Sequence, residues 1–381
     1  MARAVVVTRA WNRWLPALLV PAVIAAGTLV SAAQAGAAPD LPAKTAEQVL
    51  AMIGESTVQA FSGSIEQTSK LGLPALPAGL SRGSGRGTAQ ANASAAALEL
   101  VTGSHTARVY VDGPTDARIQ VLDQLAERDV VRHGSDVWLY DSQANTATHL
   151  VLPQAPTQAE VGSVPTRVKV DTIPTPPEVA KRMVAAIDPT TEVTVDRATT
   201  VAGRDAYTLT LRPRSSSTLI GSVSIAVDAA SGLPLSVDVQ ARDQRDPAFA
   251  LAFTSLSLDR PSAERFEFTP PAGARVEEQA IGSHPAVSGP AHSSEPDGAA
   301  TPPSAVPPAL SGTGWETVVE IAAADVPVGL VASPLLSQAT RAVAGGRLLH
   351  TALLNVLITD DGRALIGSVP LERLQSAAAG T

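Results

Sequence analysis

Several residue types that mark common protein classes are missing or rare in this chain. The 381 residues include no cysteine, which excludes disulfides, thiolate metal sites and a lipid-modified N-terminal cysteine. Aromatic residues make up only 3% of the chain, whereas 45% of residues are hydrophobic, so a core must be built mainly from aliphatic side chains. The net charge of −8 argues against binding to nucleic acid and against an electrostatic hold on anionic lipid.

Motifs that carry catalysis or hold cofactors are also missing. The six histidines show no zinc-ligand spacing, and neither a Walker loop nor a Rossmann glycine pattern is present. The G-x-S-x-G sequence around Ser81 lies among prolines and glycines, without the strand and helix that a serine hydrolase needs. We therefore predict no enzyme, no cofactor and no metal, with a hydrolase at Ser81 as the alternative to test.

The first 38 residues have the pattern of a secretory leader. Arg3, Arg9 and Arg13 precede an apolar run at residues 15–30, and small residues at 33–37 offer cleavage sites. Removing the three arginines would take the net charge from −8 to −11. The pattern predicts export to the extracytoplasmic cell envelope. It leaves open whether the segment is a cleaved signal peptide or a retained membrane anchor.

Two-residue periodicity dominates the middle of the chain. Residues 191–268 alternate apolar and polar side chains between short turn sequences, and residues 60–69 and 105–152 do so in shorter runs. Thr45 with Gln48, and Thr175 with Glu178, have the spacing of helix capping boxes. The pattern predicts a long antiparallel meander with one apolar face, which helices and a lipid-like ligand together would cover.

The C-terminal third changes character twice. Residues 277–312 are rich in proline, serine, alanine and glycine without periodicity, which predicts a disordered linker. Residues 313–381 again alternate, with a hairpin turn at Asp360, Asp361 and Gly362 and a closing helix at 370–379. This small α/β unit is short for an independent domain, so we expect it to dock on the main domain or on a partner.

Five segments resemble the LolA/LppX/RseB superfamily of bacterial envelope proteins. They are residues 61–67 (FSGSIEQ), 134–141 (GSDVWLYD), 203–209 (GRDAYTL), 227–235 (VDAASGLPL) and 266–273 (FEFTPPAG). Their order and spacing identify residues 42–276 as similar to a LolA-like domain. The tail resembles one found on LolA-like proteins of GC-rich Gram-positive bacteria. The chain differs from LppX-type lipoproteins in having no lipidation cysteine, and no counterpart of the carriers' lid-locking arginine can be assigned.

The resemblance implies an α+β fold, namely a curved, half-open antiparallel sheet of about eleven strands with helices over its concave face. It also implies a carrier that binds lipid or lipoprotein acyl chains, or an RseB-like sensor that binds a membrane protein through its C-terminal domain. Nucleic acid is not expected as a partner. The apolar phase of the strands gives the candidate cavity residues Phe61, Ile65, Trp138, Tyr140, Leu209, Val223, Ile225, Val237 and Phe253.

Overall fold

The computed structural model describes residues 39–72, 103–122, 126–152, 174–280, 309–324, 326 and 338–380. The described residues from 41 onward form one compact unit. The predicted leader, Ser81 and most of the predicted linker lie outside the described residues.

Two helices begin where the capping boxes predict. Helix α1 spans Ala46–Glu55, and Thr45 Oγ1 accepts a hydrogen bond from Gln48 N at 3.3 Å while Gln48 Oε1 accepts one from Thr45 N at 2.9 Å. Helix α2 spans Pro176–Ala185, and the Glu178 carboxylate accepts a hydrogen bond from Thr175 N at 2.8 Å. These bonds satisfy backbone donors that the first helical turn leaves without partners.

The main sheet has twelve strands, one more than the resemblance implies, in the spatial order β12-β6-β5-β4-β3-β2-β1-β11-β10-β9-β8-β7. The strands are β1 (Ala60–Ser69), β2 (His105–Asp112), β3 (Asp116–Leu122), β4 (Glu127–His133), β5 (Asp136–Asp141), β6 (Thr146–Val151), β7 (Thr191–Val201), β8 (Arg204–Pro213), β9 (Ile220–Asp228), β10 (Pro234–Ala241), β11 (Phe249–Ser257) and β12 (Arg275–Ala280). Neighbours are antiparallel except β12, which runs parallel to β6 and continues past the predicted domain boundary at residue 276.

The sheet is open and curved. Strands β12 and β7 form its two edges, so it does not close into a barrel. Strands β7 and β11 are four strand spacings apart, which would be roughly 19 Å in a flat sheet, yet residues of the two strands approach within 8 Å. The predicted half-open antiparallel sheet is therefore confirmed.

Cross-strand register divides the sheet into two faces. The apolar face carries Phe61 and Ile65, and the opposite face carries Ser62, Ser64 and Arg108. The buried side chains of α1 and α2 join those of the apolar face in one hydrophobic core. Helix α1 packs near β7 and β8, and α2 packs near β10 and β11.

Phe266 and Phe268 do not belong to the meander, although their spacing predicts a final strand. Ala263–Phe266 is a single 3-10 turn, and Phe268 follows it in irregular backbone. The turn packs near β3 and β4. Pro261, Pro270 and Pro271 flank this segment, and their missing N–H groups disfavour sheet pairing. Residues 263–268 are called the strap below.

The C-terminal unit has its own six-stranded sheet in the order β13-β14-β18-β17-β16-β15. Its elements are β13 (Ala309–Ser311), β14 (Val318–Ile321), β15 (Thr340–Val343), β16 (Gly346–His350), β17 (Asn355–Thr359), β18 (Ala364–Gly367) and helix α3 (Leu371–Ala379). The predicted hairpin at 360–362 joins β17 to β18, and Gly362 has a φ of 89°. None of the helices in the described ranges has the length and hydropathy of a membrane span.

The C-terminal unit docks on the main sheet. Trp315 Nε1 donates to Thr191 Oγ1 at 2.8 Å. The carbonyl oxygen of Ser368 accepts from Leu219 N at 2.8 Å and from Thr218 Oγ1 at 2.7 Å. Trp315 also packs against the main core. These contacts join the unit to the beginnings of β7 and β9, so the small sheet is not a free appendage.

A glycine in the β9–β10 hairpin sets how closely α1 approaches the sheet. Gly232 has a φ of 70°, and a Cβ at this position would overlap the Met52 carbonyl oxygen in α1. We expect Gly232→Ala to lower the free energy of unfolding by more than about 2 kcal/mol, because left-handed strain costs about 1–2 kcal/mol and α1 must also shift.

Gly203 provides the matched control. Its φ is 75°, but a Cβ there would meet no atom within 4 Å. Gly203→Ala should therefore lower the free energy of unfolding by about 1 kcal/mol, which is the backbone strain alone. Chemical unfolding of both variants measures the difference, and equal losses would show that α1 does not rest on the β9–β10 hairpin.

Candidate functional site

Seven of the nine predicted cavity residues lie together on the apolar face. The register pairs Ile65 with Phe253, Val237 with Ile225, and Leu209 with Ile225. The seven are Phe61, Ile65, Leu209, Val223, Ile225, Val237 and Phe253. The rings of Phe61 and Phe253 meet edge to face with centroids 5.8 Å apart.

These seven side chains are packed by protein. Each is at most 6% exposed and belongs to the main core. Val49 and Ile53 of α1, together with Val179 and Ala180 of α2, are buried in the same core. The half of the sheet from β7 to β1 is thus filled by side chains, and ligand contact at these seven positions stays a prediction.

Trp138 and Tyr140 lie on the opposite face. Trp138 pairs in register with Val131, and the same cross-strand row runs through Arg118 and Tyr110 to Ser62. Because Ser62 lies on the face opposite the apolar one, Trp138 does too. Phe268 of the strap packs on both aromatic rings, with centroid distances of 5.4 Å to Trp138 and 5.9 Å to Tyr140. The apolar face of this strand instead carries Val137 and Leu139.

The sequence prediction for β5 chose the wrong phase because both phases are apolar there. Val137 and Leu139 alternate with Trp138 and Tyr140, so period-two patterning alone cannot say which pair faces the core. The aromatic side chains of Trp138 and Tyr140 pack against Phe268 of the strap. The signal that decides the phase is the register with β4, which no local pattern contains.

The strap closes the opposite face with polar as well as aromatic contacts. Arg118 forms a bidentate ion pair with Asp129, through Nε–Oδ1 at 3.1 Å and Nη2–Oδ2 at 2.5 Å. Burial raises the pKa of Asp129, and the hydrogen bonds from Arg118 oppose that rise. Arg118 Nη1 also donates to the Arg265 carbonyl oxygen at 3.2 Å, and the Arg265 guanidinium lies 5.1 Å from the Tyr110 ring centre.

The apolar face continues past the packed core onto β2–β5, and there it opens. Val111, Ile119, Val130 and Leu139 are only half-buried, whereas Val109 and Val121 beside them are fully buried. Ile119, Val130 and Leu139 stand directly opposite one another in register across β3, β4 and β5. Val111, Ile119, Val130 and Leu139 are called the open stripe below.

The open stripe is an aliphatic surface, and none of its side chains can titrate. Val130 and Leu139 belong to neither hydrophobic core cluster of the described residues. Val137 and Leu150, both buried, extend the apolar surface toward β6. Covering such a surface with hydrocarbon is favourable, because it removes apolar area from water. The surface offers no nucleophile, acid or base. Sequence patterning missed the stripe, although the alternation of Ala117, Ile119 and Val121 pointed to it.

Metal chemistry has no candidate group here. No cluster of three or more histidine, aspartate or glutamate side chains within the described ranges could hold a metal ion.

Comparisons with known proteins give matches of fold only. No family model matches the chain, and no match was found among curated proteins. A complex of MucA and MucB from Pseudomonas aeruginosa matches with 16% identity, covering 87% of this chain and 96% of that one, at a TM-score of 0.41. A LolA superfamily protein from Nitrosomonas europaea matches with 11% identity, 59% and 99% coverage, and a TM-score of 0.22.

A putative outer membrane lipoprotein-sorting protein domain from Vibrio parahaemolyticus matches with 12% identity, 58% and 97% coverage, and a TM-score of 0.21. These solved structures are of the kinds of protein that the sequence motifs resemble. At these identities and TM-scores the likeness concerns the fold alone.

Proposed function

We propose that this chain is an exported, non-enzymatic protein of the cell envelope that binds the acyl chain of a lipid or lipoprotein on the open stripe. The observation that carries the proposal is a decrease in side-chain burial along one continuous apolar face. Helices and side chains cover it from β7 to β1, and the buried Val109 and Val121 extend that core onto β2 and β3. Val130 and Leu139 on β4 and β5 are only half-buried and belong to neither hydrophobic core cluster. Aliphatic chains are the ligand class that such a surface recognises.

The hydrophobic effect would supply the free energy for binding an acyl chain on this surface. Each methylene group removed from water contributes about 0.8 kcal/mol. A chain that covers three cross-strand side chains, spaced about 5 Å apart, places roughly eight methylene groups on the stripe. This gross gain of about 6 kcal/mol must exceed the cost of lost translational and rotational freedom, which is about 4 kcal/mol or more, so contacts beyond the stripe would add to the affinity.

Native mass spectrometry of the mature chain purified from its own envelope tests the proposal. We expect bound species with the mass of acyl lipids, which extraction with organic solvent removes and incubation with lipid restores. A clean apo mass, before and after incubation with lipid, would contradict acyl-chain binding.

A second candidate is a regulatory module that binds a membrane-anchored protein through its C-terminal unit. It is favoured by Leu310, which is 68% exposed on the edge strand β13, all of whose residues are exposed. An exposed apolar edge strand can add a strand from a partner. Recovery of a membrane protein by the full chain but not by Leu310→Asp, together with a clean apo mass, would favour this second function.

A further inference from the structure

Arg132 is a charged side chain on the apolar face at one end of the open stripe, whereas Arg128 and Asp141, which pair with each other in register, lie on the same face at the other end. Arg132 lies near the end of β4, where the register pairs it with Ala117 of β3 and Val137 of β5. It is two residues from Val130, so the two side chains emerge on the same face. A half-buried guanidinium beside aliphatic neighbours loses part of its hydration, and this cost is offset only where an acceptor faces it.

The guanidinium of Arg132 is held in place but not neutralised. Its Nε donates to the Gly134 carbonyl oxygen at 3.2 Å. Among the described ranges of the chain, no residue accepts a hydrogen bond from its two terminal nitrogens or forms an ion pair with it. One edge of the guanidinium is therefore oriented by backbone, and the paired terminal donors are left for another acceptor.

The carboxylates at this end of the sheet lie on the other face and are already engaged. Asp112 pairs with Arg260 at 2.7 Å, Asp136 Oδ1 lies 2.8 Å from His149 Nε2, and Asp116 lies beside His133. The register puts Asp112 and Asp116 in line with each other and with His133, on the face away from Arg132. No described carboxylate at this end of the apolar face competes for Arg132.

The geometry points to an acyl lipid with an anionic headgroup as the ligand, and this inference rests on the proposed function. The hydrocarbon chain lies on the open stripe, and Arg132 donates two parallel hydrogen bonds to a carboxylate or phosphate headgroup at the stripe's end. The chain's net charge of −8 disfavours attraction to an anionic membrane surface. It does not prevent one guanidinium from selecting a headgroup at contact distance, where the local charge dominates.

Titration with oleate and oleyl alcohol tests this, because the two share a hydrocarbon chain and differ only in the charge of the head. Binding is measured by calorimetry at pH 8, below the critical micelle concentration, for the wild type, Arg132→Gln and Arg108→Gln. Arg108 is the matched control, an exposed arginine on the opposite face of the same sheet. We expect Arg132→Gln to weaken oleate binding roughly tenfold, with oleyl alcohol unchanged. Arg108→Gln should change neither.

Each other outcome has a definite meaning. Arg132→Lys should recover part of the loss, because lysine keeps the charge but not the paired donors. If the wild type binds oleate and oleyl alcohol equally and Arg132→Gln changes nothing, the headgroup inference is overturned while acyl-chain binding stands. Equal weakening of both ligands by Arg132→Gln would also overturn it, as would displacement of oleate by millimolar inorganic phosphate. If neither ligand binds the wild type, the proposed function itself fails.

Discussion

Replacing Leu139 with asparagine should weaken binding of oleyl alcohol by about 2 kcal/mol, or roughly 30-fold. Leu139 is the β5 member of the open stripe and lies opposite Val130 in register. Asparagine has nearly the same shape as leucine, so the change replaces hydrocarbon by an amide that an acyl chain would desolvate. Because asparagine is uncharged, it cannot create an ion pair with Arg132 or Arg128 on the neighbouring strand.

The fold should survive this substitution. Leu139 is half-buried and belongs to neither hydrophobic core cluster. Thr106→Asn is the control for the low strand propensity of asparagine, because Thr106 is exposed on the opposite face of β2. Titration calorimetry, with circular dichroism to verify folding, separates the effects. A folded Leu139→Asn protein that binds like the wild type would remove the open stripe as the binding surface.

The second large effect concerns stability rather than binding. Leu209→Ala should lower the free energy of unfolding by about 3 kcal/mol, whereas Leu139→Ala should lower it by about 1 kcal/mol. The chemical change is identical at the two sites. Leu209 is fully buried in the core that the helices complete, so truncation leaves a cavity, whereas Leu139 is only half-buried.

Chemical unfolding of a protein that comprises residues 39–381 gives both values. Trp138 in the main sheet and Trp315 at the docking contact with the C-terminal unit are two built-in fluorescence reporters. Coincident transitions at the two tryptophans would support one cooperative unit. If Leu209→Ala lowers the free energy of unfolding no more than Leu139→Ala does, the side chains of β7–β11 are not more tightly packed than the open stripe.

The sequence predicts this fold well where pattern and burial coincide. Strands β8–β10 alternate strictly because one of their faces lies in the main core, and the helix starts follow from the capping residues Thr45 and Thr175. The hairpin at 360–362 follows from turn chemistry in the same way. These signals are local, so they can be seen without knowing what packs on them.

The parts that the sequence does not predict depend on partners distant in the chain. Strand β12 is an edge strand, exposed wherever its burial is described, so it has no apolar phase to reveal it. The strap packs on Trp138 and Tyr140 from a segment distant in the chain. Its own phenylalanines, Phe266 and Phe268, have the spacing of a strand, so the sequence pattern indicates the wrong element. The open stripe follows from the register of β3, β4 and β5, and a one-residue slip of a strand would turn its stripe residue to the other face.

Photo-crosslinking with a fatty acid that carries a diazirine at mid-chain tests the central claim most directly. Trypsin cleaves after Arg118, Arg128 and Arg132, so Ile119, Val130 and Leu139 fall in three different peptides. Mass spectrometry of the digested protein should find the label on these peptides, in amounts that unlabelled oleate reduces. Label confined to the peptides of β7–β11 or of the C-terminal unit would place the ligand elsewhere and contradict the open stripe as its binding surface.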